Sequence, residues 1–411
     1  MNISSFIARR IAFNRQKSFS RFIIRLSVAA TVISVAVMII TLSVVNGFRE
    51  TVSEKVFSFW GHVRIQYRQP MKTALSEEEP IEKNDSLVAD VKKIPGVRAI
   101  HPFATKNAIL KTEEEIEGIL LKGVDSTFHF NRLQSYLQEG RWIGFQDSSY
   151  ANEIVVSTYT SRQLKLKLNE SLLIYFIQPD QSMRVRKLKI VGIYKTGIEE
   201  YDKTIALADI GLLRRLNNWD DSQIGGYEVF LDNYENMAAA SDSIFENTHF
   251  PPHWESRTAQ ELQPNIFDWL EVTNTNSAVL IVIMIIIAVI NLITCLIILV
   301  LERVQMIGVL KALGASDWSI QKIFLHHSSL ITFLGIVLGI GVALLLTWIQ
   351  TQTGIIRLPE DAYYMDKAVM QVKWWQVAAV GAGTLVISFL VLLIPSLLVK
   401  RIQPIKAIHF R

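Results

Sequence analysis

Among 411 residues there is one cysteine, Cys295, set inside an apolar run, so no disulfide can form within the chain and the redox compartment is left open. Excess charge of either sign is missing too. The 42 Lys+Arg against 38 Asp+Glu give a formal net charge of +4, too little for the basic field that holds nucleic acid. No GxxxxGK[ST] loop is present, which excludes nucleotide hydrolysis by that route, and no HExxH, CxxC or GxSxG pattern occurs. His326 and His327 are adjacent, which aims them at different helix faces and makes a poor metal pair. His62, His101, His129, His249 and His253 are scattered, with surface or satisfied positions as their default. Glu199, Glu200, Tyr201 and Asp202 form an acidic–aromatic run without a local base or nucleophile to serve. Catalysis in this chain is not expected, and no cofactor or metal is expected to bind it.

Charge is absent again from four long stretches, 26–45, 278–301, 328–349 and 374–399. Each reaches the ~20 apolar residues that cross a bilayer. With hydrophobic residues at 50% of the chain, the composition is that of a membrane protein rather than a soluble enzyme. The first run exceeds the 7–15 residues of a signal-peptide core and no small-residue cleavage pattern follows it, so it reads as a retained anchor. Trp348, Trp374 and Trp375 fall at segment ends, as an interfacial aromatic belt requires.

Arg9, Arg10, Arg15, Lys17, Arg21 and Arg25 precede the first span, and Lys400, Arg401, Lys406 and Arg411 follow the fourth, with no acid among either set. Lys/Arg bias puts both ends in the cytoplasm, consistent with an even number of spans. The expected order is therefore a cytoplasmic amphipathic segment 1–25, with Ile3, Phe6, Ile7 and Ile11 facing lipid, and a first span 26–47. Then come an extracytoplasmic domain with a stalk (48–275), a second span (276–301), a cytoplasmic connection (302–327) and a third span (328–350). An outer loop (351–373), a fourth span (374–399) and a cytoplasmic tail (400–411) complete it.

The polar region 48–275 mixes strand and helix patterns without a strict βαβ rhythm, which argues for an α+β fold. Strands are expected at 63–67, 97–104, 107–111, 116–124, 153–157, 171–177, 184–194 and 227–231. The residues 178–183, QPDQSM, read as a hairpin turn, and helices are expected at 158–167 and 234–247. Ser86 is a candidate cap for a short helix before Pro95-Gly96. Thr258-Ala-Gln-Glu261 reads as a capping box opening a stalk that runs, disturbed at Pro264, into the second span.

The spans hold few polar groups. Asn291 and Thr294 suit interhelical hydrogen bonds, Gly335-x-x-x-Gly339 with Gly341 suits close helix approach, and Pro395 suits a kink. No span core contains Asp, Glu, Lys or Arg, which argues against an ion-coupled carrier or proton pump.

Between the second and third spans lies ERVQMIGVLKALGASD, 302–317. Met306, Ile307, Leu310 and Leu313 recur at helical spacing, Gly314 suits a C-cap, and Ser316 can cap the next helix. Such a short amphipathic helix either joins two spans on the lipid surface or fills a groove on a cytoplasmic partner.

Four spans, a large domain between the first two, and LERVQMIGVLKALGAS together resemble the FtsX-like ABC transporter permeases. The lipoprotein-releasing LolC/LolE type is the subgroup most similar, over essentially the whole chain. SVVNGF (43–48), GIEEYD (197–202) and LPEDAYY (358–364) resemble further stretches of that subgroup, although its proline after the paired tyrosines is replaced here by Lys367-Ala368-Val369. The resemblance implies that Glu302, Arg303, Met306, Ile307, Leu310, Lys311, Leu313, Gly314, Ala315 and Ser316 couple the permease to a separate cytoplasmic LolD-like ATPase. ATP and magnesium would be bound by that partner. It further implies pairing with a second permease copy or homologue, mechanotransmission through the spans, and lipoprotein substrates taken from the bacterial inner membrane. Asn46 and Gly47 would lie at the mouth of the substrate cavity. A periplasmic carrier docks on a long hairpin in one subgroup member, and the corresponding turn here, 178–183, is short. Within the fold, an exporter permease of the MacB kind and an FtsX-like regulator of cell-wall hydrolases are the alternatives. A membrane-anchored receptor is the alternative of another class.

Overall fold

The computed structural model describes residues 19–69, 78–113, 115–145, 150–178 and 182–396. The expected amphipathic segment before Phe19, the basic tail and the tip of the 178–183 turn lie outside the described residues. The chain folds as two compact units. One comprises the segments up to Glu50, Trp269–Arg357 and from Lys367 on; the other comprises Thr51–Asp268 and Leu358–Asp366.

Among the described residues, four helices are long and apolar enough to cross a membrane. The first runs from Phe19 to Trp60, the second from Pro264 to Glu302, the third from Asp317 to Thr353 and the fourth from Trp374 to Ser396. Two of these bounds correct the sequence reading. The first helix continues unbroken beyond 47, because SVVNGFRETVSEKVFSFW holds no proline and its Gly47 is kept helical by packing. Thr258 does form a capping box with Glu261, but the helix it opens, Ala259–Leu262, stops at once. Pro264 then begins the second span's helix instead of disturbing one, since the first turn is where a missing N–H costs nothing.

In the helical unit, Val35, Met38 and Ile39 of the first span pack with Ile336 and Ala343 of the third and Val377 of the fourth. The glycine pair in the third span permits this approach. A Cβ at Gly335 would lie 2.8 Å from Thr31 Cβ, and one at Gly339 would lie 2.9 Å from the Val32 carbonyl oxygen. Asn291 donates to Ser27 O at 3.2 Å, an interhelical bond, whereas Thr294 turns back on its own helix to Ile290 O.

The described residues of the other unit form twelve strands: β1 (Val63–Tyr67), β2 (Ile81–Glu82), β3 (Val97–Lys111), β4 (Ile116–Val124), β5 (Leu137–Gly140), β6 (Glu153–Ser157), β7 (Ser171–Ile177), β8 (Met183–Tyr194), β9 (Ile205–Asp209), β10 (Gln223–Ile224), β11 (Gly226–Leu231) and β12 (Trp254–Thr258). The runs at 97–104 and 107–111 are one fifteen-residue strand, with β11 paired along its first part, β7 along its last, and β4 on its other edge. Asn84, not Ser86, caps the helix Asp85–Val91, accepting from the Leu87 amide.

One ten-stranded sheet runs β12-β1-β11-β3-β4-β9-β6-β8-β5, and β7 bonds to both β3 and β8. The pairings β3-β4-β9-β6-β8-β7-β3 therefore close into a circuit of six strands, which removes those edges from solution. Leu172, Ile174 and Phe176 alternate inward on β7. The pairs β4·β9 and β6·β8 are parallel, so the fold is mixed α+β.

Candidate coupling and anchoring sites

The connection between the second and third spans is a helix over Val304–Ala312, with Glu302 still in the preceding span's helix and Arg303 as the non-helical hinge. This corrects the start expected at Glu302. Gly314 sits at φ +88°, and the amides of Gly314 and Ala315 turn back to Lys311 O and Leu310 O, each at 3.0 Å. Ser316 accepts from the Ser319 amide and caps the third span. Lys311 is paired with Asp317 across the turn at 2.8 Å.

The apolar side of this helix is divided. Ile307 is fully buried with Leu292 and Val300 of the second span and with Ile320, Phe324 and Leu325 of the third. Met306, Leu310 and Ala315 are half-buried against the same cluster. The idea that Met306, Ile307 and Leu310 form an open apolar face is thereby corrected, because the hinge at Arg303 folds that face onto the chain's own spans. Leu313 is 79% exposed and Val309 49%. Gln305, Ala312 and Gly314 are exposed beside them, and Trp318 stands at the start of the next helix. These uncovered residues lie one helical turn apart along one side.

At 43–48 the first span meets the segment leading into the fourth. Ser43 O accepts from the Gln371 amide at 2.9 Å, and Asn46 Nδ2 donates to Gln376 Oε1 at 2.6 Å. A methyl group on Gly47 would overlap the Val369 carbonyl, so only glycine fits. Asn46 is half-buried and Gly47 buried, held by this packing. Phe48 stacks edge-on against Trp269, ring centres 4.9 Å apart.

In the sheet-containing unit, the end of the first helix is gripped by the strands. Phe59 lies among Tyr136, Tyr194 and Tyr201, and the Phe59 carbonyl accepts from Lys122 Nζ. Lys122 and Glu228 form a fully buried ion pair at 2.7 and 2.8 Å, with the ammonium 4.6 Å from the Trp60 ring centre. Burial pushes the Lys122 ammonium below its ordinary range, against the opposing pull of Glu228. Neither residue was singled out from the sequence. The available signal was a lysine inside ILLKGV and a glutamate inside YEVFL, each a lone charge in an otherwise apolar strand run.

GIEEYD and LPEDAYY meet in the same unit. Asp202 accepts from the Thr196 amide (2.9 Å) and hydroxyl (2.8 Å) and from the Gly197 amide (3.1 Å), while burial raises its pKa against those bonds. Tyr201 packs on Phe59. Glu360, on the short helix Glu360–Tyr363, pairs with Lys195, and Lys55 Nζ donates to Tyr364 O at 2.6 Å. His326 Nδ1 lies 2.7 Å from Lys322 O one turn back on its own helix, and among the described residues no group of three metal-ligating side chains occurs.

At the level of sequence, a family model of the FtsX-like permease C-terminal region matches residues 278–404, and one of the MacB-like periplasmic core domain matches residues 26–245, more than half of the chain. The lipoprotein-releasing system transmembrane protein LolC of Neisseria meningitidis serogroup B is 22% identical over 418 residues, covering 98% of this chain and 97% of that protein. Lipoprotein-releasing system transmembrane protein LolE of Haemophilus influenzae is 22% identical over 422 residues, covering 98% of each. Among solved structures, the periplasmic region of MacB from Actinobacillus actinomycetemcomitans overlaps 50% of this chain and 91% of that one at 11% identity, with a TM-score of 0.34.

Proposed function

The chain belongs to the FtsX-like permeases that carry a MacB-like periplasmic core domain, and from that membership we propose that it is the non-catalytic membrane subunit of an ABC transporter that releases lipoproteins from the inner membrane towards the outer membrane. Its partners would be a cytoplasmic LolD-like ATPase, which binds ATP and magnesium, and a second permease copy or homologue; a periplasmic carrier would receive the product. Both termini would be cytoplasmic and the sheet-containing domain periplasmic. Nucleotide-driven movement of the ATPase would reach that domain by mechanotransmission along the span helices.

The observation that carries this reading is the alignment, along 98% of the chain, with proteins named for lipoprotein release. The connecting helix adds the physical route. Having buried Ile307 in its own spans, it leaves Val309, Ala312 and Leu313 uncovered at a helix end, the arrangement in which an amphipathic helix seats in a partner's groove. Glu302, Arg303, Lys311, Gly314, Ala315 and Ser316 would then serve by fixing that helix and its turn. Asn46 and Gly47 would hold the end of the first span beside the substrate path.

The test compares the intact chain with a Val309→Asp/Leu313→Asp variant in cells depleted of the natural copy. Two acids on the exposed side should cut co-purification of the ATPase at least tenfold and leave acylated proteins in the inner membrane, with the permease still folded. Retained ATPase would refute the docking side. Normal delivery of acylated proteins in depleted cells would refute lipoprotein release and favour the exporter or regulator readings.

A further inference from the structure

The segment between the third and fourth spans divides between the two units: Leu358–Asp366 packs with the sheet-containing domain, while Arg357 and the residues from Lys367 on belong with the helices. The backbones of Arg357 and Lys367 bridge to each other, and Leu358 N donates to Asp366 O at 3.0 Å, so the excursion is pinched at its base. At its head, the Glu360 carboxylate pairs with Lys195, at the end of β8, while Lys55 of the first helix reaches Tyr364 O. Gly197 makes room for this. Its φ is +75°, and a Cβ there would overlap Glu360 Oε1 and lie 2.9 Å from Lys55 Nζ. One carboxylate thus sits beside two lysines that come from separate elements, with Asp202 and Asp366 also acting on Lys55. Five residues beyond Tyr364, Val369 and then Gln371 are held on Gly47 and Ser43 of the first span.

We propose that Glu360 is a positioning residue that, seated between Lys195 and Lys55, ties the loop joining the third and fourth spans to the sheet-containing domain, so that movement of that domain is passed to those two spans. The proposal rests on the transport reading above. Its physical basis is that an ion pair with side chains 44% and 26% exposed adds little to folding, so its placement matters through where it holds the loop. The glycine that must be at 197 and the close seat it provides serve the loop and no catalytic group.

The experiment uses the full chain, with its ATPase and partner permease, reconstituted in lipid nanodiscs. It reads ATP hydrolysis, lipoprotein released per ATP, and amide hydrogen exchange over 354–367. Glu360→Gln and Glu360→Lys should speed exchange of the Ala362, Tyr363 and Tyr364 amides at least fivefold. Hydrolysis should stay within twofold while release per ATP falls at least fivefold. The Lys195→Glu/Glu360→Lys pair, which keeps two cations and one anion at the seat, should restore at least half of the release. Unchanged exchange would overturn the tie. Faster exchange with unchanged release would overturn its role in transmission, as would failure of the swapped pair. If the unaltered complex releases no lipoprotein while Glu360→Gln still loosens the loop, the transport reading fails and the tie stands.

Discussion

Lys122 shows most plainly how single residues hold this protein together. Its ammonium and the Glu228 carboxylate are both about 1% exposed, and the third proton acceptor is the Phe59 carbonyl near the C-terminal end of a 42-residue helix, where partial negative charge accumulates. Removing one partner leaves an uncompensated buried charge, which costs about 3–5 kcal/mol, whereas replacing both is far milder. Lys122→Met should therefore lower the apparent unfolding temperature of the purified chain by roughly 10 °C. Lys122→Met/Glu228→Leu should recover most of that loss, as read by a thermal melt in detergent. If the double change were as damaging as the single one, the grip on Phe59 would outweigh the charge term. At the same scale, Tyr201 and Asp202, part of an acidic–aromatic run in the sequence, are spent on packing against Phe59 and on closing the Thr196–Gly197 turn. A sequence run shows which residues are near one another along the chain, and says nothing of which ring or carbonyl they will meet.

Helices and strands were the more legible scale. Apolar runs without charge located the four long helices found among the described residues, because a bilayer demands length and hydropathy and both are local properties. The third span's glycines illustrate the next step. Gly335, Gly339 and Gly341 look alike in sequence, yet a Cβ at Gly335 meets Thr31 at 2.8 Å and one at Gly341 meets nothing within 4 Å. Gly335→Ala should destabilise the helical unit by about 1–3 kcal/mol through overpacking. Gly341→Ala should be neutral or gain up to ~1 kcal/mol from helix propensity. Parallel melts of the two variants check this, and equal behaviour would mean that the first and third spans do not need their close approach. The connecting helix taught the opposite lesson: its periodicity was correct, but periodicity does not say which of two apolar sides the chain keeps for itself. Ile307 went inward and Leu313 outward because the break at Arg303 sets the rotation.

For the molecule as a whole, buried histidines set a pH dependence. His62 is stacked on Phe57 at 4.1 Å and accepts from the Leu231 amide through Nδ1 at 3.1 Å. Burial, with Arg132 nearby, lowers its pKa from 6.5 to about 3. His101, hydrogen-bonded to His129 at 3.1 Å, is lowered by burial, then by His129, Arg132, Lys122 and Lys92, to about 4. Below pH 6.5 the unfolded chain takes up protons that the folded one refuses, so stability rises with pH from about 4 to 6.5 and falls as pH drops through that window. Thermal melts of the full chain between pH 7 and 5, above the carboxylate range, should show this fall, and His62→Gln should flatten it. A flat profile in the unaltered chain would contradict the neutral buried imidazoles. By itself the sequence determined the spans, the α+β character of the domain between the first two, and the three short stretches that mark its family, because hydropathy, alternation and capping act over a few residues. Only the tertiary structure decided that β7 closes a six-strand circuit, that Lys122 holds the end of the first helix, and that SVVNGF and GIEEYD each pack against part of the segment joining the third and fourth spans. Those pairings join residues up to some three hundred positions apart, as Lys55 to Tyr364 does with a separation of 309, and no local pattern encodes which distant surface a side chain will find.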